Sequence, residues 1–166
     1  MLVFLDFEAS SLSKHSYPIE VAWVFETGEG ESHLIRPEAN WTDWDESAAA
    51  IHGLSRETLQ GEGEAAGAVS HRLVEALQGH ELHASAPSWD GKWLSMLLRA
   101  GGFPRHLMKL AASRDAHLAA AGGDEAVVTS VRAAIEAEPA EHRALPDAQR
   151  DRQIWYEIGR AVAKQS

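Results

Sequence analysis

The chain has 166 residues, a formal net charge of −10 and no cysteine. These features exclude disulfides and a thiolate zinc site, and they argue against a protein that coats nucleic acid through a broad basic surface. With 45% hydrophobic residues and no apolar run near the roughly 18 residues of a membrane helix, the composition fits one domain over residues 1–166, soluble and cytoplasmic.

Residues 1–8 predict a first strand. Its run Leu2-Val3-Phe4-Leu5 suits burial on both faces, as in a central strand. The apolar run stops at Asp6 without a basic leader, so it is not a signal peptide. Residues 19–27 form a second strand, and Gly28 and Gly30 supply the turn into a third over 31–36, ended by Pro37. Turns this short make the three strands antiparallel neighbours. Residues 38–63 read as irregular apart from a short helix over 56–60 capped by Ser55. Ala65, Val69, Leu73 and Leu77 recur at helical spacing, with Gly79 as the stop. A short strand follows over 81–85, then a helix over 88–100 with Trp89, Trp93, Leu97 and Ala100 in one stripe. Residues 107–112 predict a last strand. Val127, Val131 and Ile135 trace a further helix, and Pro146 opens a final one with Ile154, Ile158 and Val162 facing inward. The order βββαβαβαα predicts a mixed sheet, three antiparallel strands and then two parallel ones, covered by helices.

The first strand ends in Asp6-Phe7-Glu8. Side chains two apart on a strand share a face, so two carboxylates lie side by side where their charges repel. Paired carboxylates suit hard cations such as Mg²⁺ or Mn²⁺. Two further acids stand at the mouths of their own elements. Asp90 sits in the first turn of a helix after a strand, and Asp147 at the start of the last helix, five residues after His142. Each alone is an ordinary first-turn acid favoured by the helix dipole. His80 and His83 have H-x-x-H spacing, but no further ligands complete a zinc site.

Taken in order, D-x-E, then D, then H-x₄-D resembles the DEDDh 3′→5′ exonucleases of the ribonuclease H-like fold, the group of polymerase proofreading subunits, ribonuclease T and oligoribonuclease. Asp6 and Glu8 match the first motif, Asp90 the second, and His142, Ala144 and Asp147 the third, H-x-A-x-x-D. The element order agrees over nearly the whole chain. Two departures bear on substrate choice. Ala9-Ser10-Ser11 stands where the family often has T-T-G, and Ala86 and Trp89 stand where it often has Asn and Phe.

The resemblance implies a ribonuclease H-like mixed five-stranded sheet. It also implies hydrolysis of phosphodiester bonds at the 3′ end of single-stranded RNA or DNA with two Mg²⁺ or Mn²⁺ ions. Asp6 would bridge both ions, Glu8 and Asp147 would hold the one beside the attacking water, and Asp90 would act directly or through water. His142 would be the general base, histidine being the side chain whose ordinary pKa, about 6.5, lies nearest neutrality. Phe7, Ala9 and Ser10 of the first motif, with His52 and Leu54 of "IHGL", would lie by the terminal nucleotide. Trp89 is the expected stacking residue, and Trp41 and Trp44 are open candidates. Lys92, Arg143, Arg150 and Arg152 are the cations expected near the site, enough for few phosphate contacts. RNA against DNA and assembly as a homodimer stay open. A non-catalytic module of the same fold that grips a nucleic-acid end is the alternative, although such a binder would not need His142.

Overall fold

The computed structural model describes residues 1–164. Its sheet is built from β1 (Leu2–Ala9), β2 (Pro18–Phe25), β3 (Gly30–Arg36), β4 (Glu64–Ala65), β5 (Glu81–Ala84) and β6 (Leu110–Ala112), in the order β4-β3-β2-β1-β5-β6. β1 pairs antiparallel with β2 and parallel with β5, so it is the central strand expected of a segment apolar on both faces. β2 pairs antiparallel with β3, and β5 parallel with β6.

Alternation along β1 sorts its side chains. Val3, Leu5, Phe7 and Ala9 enter the main core against α3 (Ala66–Leu77) and α4 (Pro87–Ala100), where they meet Val69, Leu73, Trp93 and Leu97. Phe4, Asp6 and Glu8 therefore face the other side. Phe4 there lies 6.1 Å from the rings of His117 and Trp155, on α5 (Ser113–Ala120) and α7 (Ala144–Ala163). α7 packs across β1 and β2 on this side, and α6 (Glu125–Glu136) packs on α7 through Val128, Ile154 and Ile158. The β1–β2 register shifts between Glu8 and Ala9, where Ile19 of β2 is left without a partner, opposite the end of the strand that carries both acids.

The sheet has six strands where the sequence predicted five. The addition is β4, two residues that leave α2 (Arg56–Glu62) in extended conformation and pair parallel with the end of β3. Two residues carry no periodicity, so nothing in the sequence marks them. Residues 46–52, expected to be irregular, form α1 (Glu46–His52), with Asp45 accepting from the Ser47 N–H and Gly53 in the left-handed conformation at the exit. α5 begins directly after β6 without a side-chain cap. The last strand is shorter than predicted because β5 offers only Leu82, His83 and Ala84 as partners. Among the described residues no helix is long and apolar enough to cross a membrane.

Candidate active site

Three structural features bring the acids together. Asp6 and Glu8 project from the face of β1 that α7 covers. Asp147 comes from the first turn of α7. Ligand oxygens of Asp6, Glu8 and Asp147 all lie within 4.8 Å of one another, a spacing at which one cation can touch all three. Asp90 stands outside that group of three, in the first turn of α4 just past the end of β5, and its charge acts on Asp6. It is 2% exposed, and it accepts from the Ala86 N–H at 3.2 Å and from the Phe7 N–H.

The electrostatics follow from burying like charges together. Burial holds the Asp6 carboxyl well above the usual carboxylate range, and Asp90, Glu8, Asp147 and Asp151 raise it further. Glu8 is pushed up to about 8 by burial and then by Asp147 and Glu20, against the pull of Arg143. Asp90 rises to about 7 through burial, opposed by its two backbone N–H partners. Asp147 is raised by burial and held back by His142 and Arg150. All four donors are hard oxygens short of positive charge, so they fit a divalent cation of the Mg²⁺ or Mn²⁺ class.

This electrostatic arrangement has a measurable consequence for stability. A carboxyl that binds its proton more tightly folded than unfolded favours the folded chain at low pH. That contribution is lost as pH rises from the unfolded value near 4 through about 7 for Asp90 and about 8 for Glu8. In chelator, Tm should therefore fall by about 5 °C or more between pH 5.5 and 8.5, and added Mg²⁺ or Mn²⁺ should flatten the profile. Scanning calorimetry at three pH values measures this. A cation-free Tm that rises over the range would show that these acids do not bind their protons more tightly in the folded chain.

His142 lies in a cleft of about 320 Å³ with Asp6, Asp147, Arg150 and Asp151. It is exposed, and its φ of 53° makes it the non-glycine residue in the left-handed region among those described. The residue after it is fixed. Arg143 donates through Nε and Nη2 to both oxygens of Glu20, at 2.9 and 2.7 Å, and the Ala144 N–H donates to Glu20 at 3.1 Å. Glu20 is 3% exposed and pairs across the sheet with Glu8, so one guanidinium serves both acids. No motif marks Glu20, whose role depends on the residues that open the last helix.

The other expected contacts separate into two groups. Trp89 is half-buried, stacked on Trp93 at 5.6 Å, with Lys92 Nζ 5.3 Å above its ring. Phe7 points into the core, Ala9 is buried, and the Ser10 hydroxyl accepts from the Tyr17 N–H, so this segment offers a ligand little beyond its backbone. His52 and Leu54 are 4% and 6% exposed. His52 Nδ1 accepts from the Leu54 N–H at 3.1 Å, and its Nε2 is buried without a partner. The serines that replace the family's T-T-G have their own anchor. Ser10, Ser11 and Ser13 all donate to Asp43, which ties the loop after β1 to the segment before α1.

Asp151, one turn beyond Asp147, is a further acid that the motifs did not include. It accepts from the Ser113 hydroxyl and lies 3.4 Å from the buried His117. Of the four expected cations, Arg143 is held by Glu20 and Arg152 donates to the Glu26 carbonyl. Arg150 donates to the carbonyls of Glu138 and Pro139, and Lys92 to Ser13 and Ser16.

No protein-family model matches the chain, and no curated protein matches it by sequence. Solved structures do match it. The zinc-bound E. coli exonuclease I–single-stranded DNA complex superimposes with a TM-score of 0.72 at 14% identity, covering 99% of this chain and 40% of that one. Exonuclease I from Methylocaldum szegediense gives 0.72 at 16% identity over 92% of this chain and 39% of that one. E. coli exonuclease I with a dA16 oligonucleotide gives 0.69 at 14% identity, with 92% and 39% covered. The chain thus spans about two-fifths of the length of these exonuclease I chains. The ribonuclease H-like fold implied by the resemblance to DEDDh exonucleases is the fold of this chain, and it shares that fold with exonuclease I.

Proposed function

We propose that the chain is a metal-dependent 3′→5′ exonuclease of single-stranded nucleic acid. The observation that supports it best is the meeting of Asp6, Glu8 and Asp147 within 4.8 Å, in a protein whose fold matches exonuclease I. Asp6, Glu8, Asp90 and Asp147 would hold two divalent cations, Mg²⁺ or Mn²⁺. Cations bound there supply the positive charge that acidifies an attacking water, neutralises the phosphate and stabilises the departing 3′ oxygen. His142 takes the proton of that water. Its exposed position on the cleft wall suits a base that must reach a solvent molecule and then release the proton. The Arg143–Glu20 fork fixes the chain just after the base, and its guanidinium offsets part of the repulsion that Asp147 and Glu20 exert on Glu8.

The exonuclease I structures that carry single-stranded DNA support DNA as the first substrate to try. Matched 5′-labelled DNA and RNA oligomers with Mg²⁺ or Mn²⁺ should shorten stepwise from the 3′ end and stop on addition of chelator. A strand blocked by a 3′-phosphate, or closed into a circle, should resist. Equal cleavage of free, blocked and circular strands would replace this reading with an endonuclease. Binding without cleavage under every metal condition would leave a non-catalytic module.

A further inference from the structure

The carboxylate cleft contains a further acid with no part in the scheme above. Asp151 follows Asp147 by one turn of α7 and lines the same cleft as Asp6 and His142. Its charge bears on both Asp6 and Asp90. It stands outside the three carboxylates whose oxygens lie within 4.8 Å of one another.

Two residues of α5 hold Asp151. The Ser113 hydroxyl donates to Oδ2, and His117 Nε2 lies 3.1 Å from the Asp151 carbonyl and 3.4 Å from Oδ1. His117 is fully buried, and its Nδ1 has no partner. A charged imidazolium would leave an N–H there unsatisfied, so the ring is neutral, with its one hydrogen on Nε2 for the carbonyl. Burial favours the neutral ring as well. No Lys or Arg forms an ion pair with Asp151 among the described residues, and Arg132, which shares the cleft, is taken by Glu136 at 2.6 Å. The Asp151 side chain, 13% exposed, therefore has no counter-charge beside it.

The fold does not require that charge. A neutral Asn carbonyl would accept from Ser113 as well, and His117 has the main-chain carbonyl as its nearer acceptor. An acid whose charge bears on Asp6 and Asp90 instead costs stability through repulsion. A carboxylate offers about four acceptor positions, and the contacts from α5 leave some of them free. A divalent cation of the Mg²⁺ class keeps several waters, whose hydrogens need acceptors of this kind.

We infer that Asp151 is a positioning residue: it accepts hydrogen bonds from water on a cation held by Asp6, Glu8 and Asp147, and so fixes that water in the cleft it shares with His142. The effect on turnover rests on the exonuclease reading, whereas the effect on cation binding rests only on the acids being a metal site.

Mn²⁺ binding to the full chain without nucleic acid, followed by titration calorimetry, tests the role apart from any cleavage. Asp151→Asn keeps an acceptor for Ser113 and loses the charge, and it should weaken Mn²⁺ binding about tenfold. Ser113→Ala keeps the charge but frees the carboxylate to turn, and it should weaken Mn²⁺ binding about threefold. Tm in chelator should not fall in Asp151→Asn. On a single strand with Mg²⁺, kcat should drop about tenfold or more in that variant with KM unchanged, because the residue orients water and touches no nucleotide. A lower Tm in chelator with wild-type Mn²⁺ affinity would assign Asp151 to the fold and overturn the inference. So would a loss of affinity in Asp151→Asn that Ser113→Ala does not share, since charge alone would then account for it. Should Asp151→Asn fail to fold, Ser113→Ala decides alone. Weaker Mn²⁺ binding in both variants of a chain that cleaves no strand would keep the role of Asp151 and end the exonuclease reading.

Discussion

Asp6→Asn should lower strand hydrolysis by about 10³-fold or more and leave a folded protein. The Asp6 carboxyl is buried and feels Asp90, Glu8, Asp147 and Asp151 at once. Removing its charge would take away one of the carboxylates that would hold the cations. The same change should raise Tm in chelator at pH 8 and above, because one member of a crowded anionic group becomes neutral. Gain of stability with loss of turnover is the signature of a site built for a cation rather than for the fold. Turnover with Mg²⁺ or Mn²⁺ and calorimetry in chelator decide it. An active variant would remove the cluster from the chemistry, and a destabilised one would mean that the aspartate supports the sheet.

His142→Ala should reduce kcat by about 10²–10⁴-fold, the usual worth of a placed general base, while cation affinity measured by calorimetry stays close to wild type. The side chain shares its cleft with Asp6 and Asp147 and coordinates nothing in the scheme above. The rise of kcat/KM with pH that a base produces should vanish in the variant. A mutant with full activity, or with the wild-type pH profile, would show that another group takes the proton.

How far the sequence led depends on how local each signal is. The β1–β3 meander, α3, α4 and α7 were legible because strand and helix periods repeat over seven to twenty residues. The acids were legible because each motif is a short run at the end of one such element. α1 is not legible although Asp45, Glu46 and Gly53 are its start and stop residues, since seven residues are too few for a repeating apolar stripe. β4 exists only through its pairing with Ile35 and Arg36. Glu20, Asp151 and Asp43 act through partners far along the chain. No window of sequence contains both halves of those arrangements.

The fork that holds Arg143 to Glu20 joins residues 123 apart in the chain. Asp147 likewise meets Asp6 and Glu8 only after α7 has docked across β1 and β2. During synthesis the amino-terminal meander can pair as soon as it emerges, whereas the third acid and the imidazole arrive with the last helix. Loop closure over such a span is slow, and the incoming aspartate is repelled by the two carboxylates that await it. A nascent chain on the ribosome thus carries most of the sheet before Asp147 joins Asp6 and Glu8. On the function proposed above, a chain whose synthesis has stopped short of α7 would lack Asp147 and would not cut a strand.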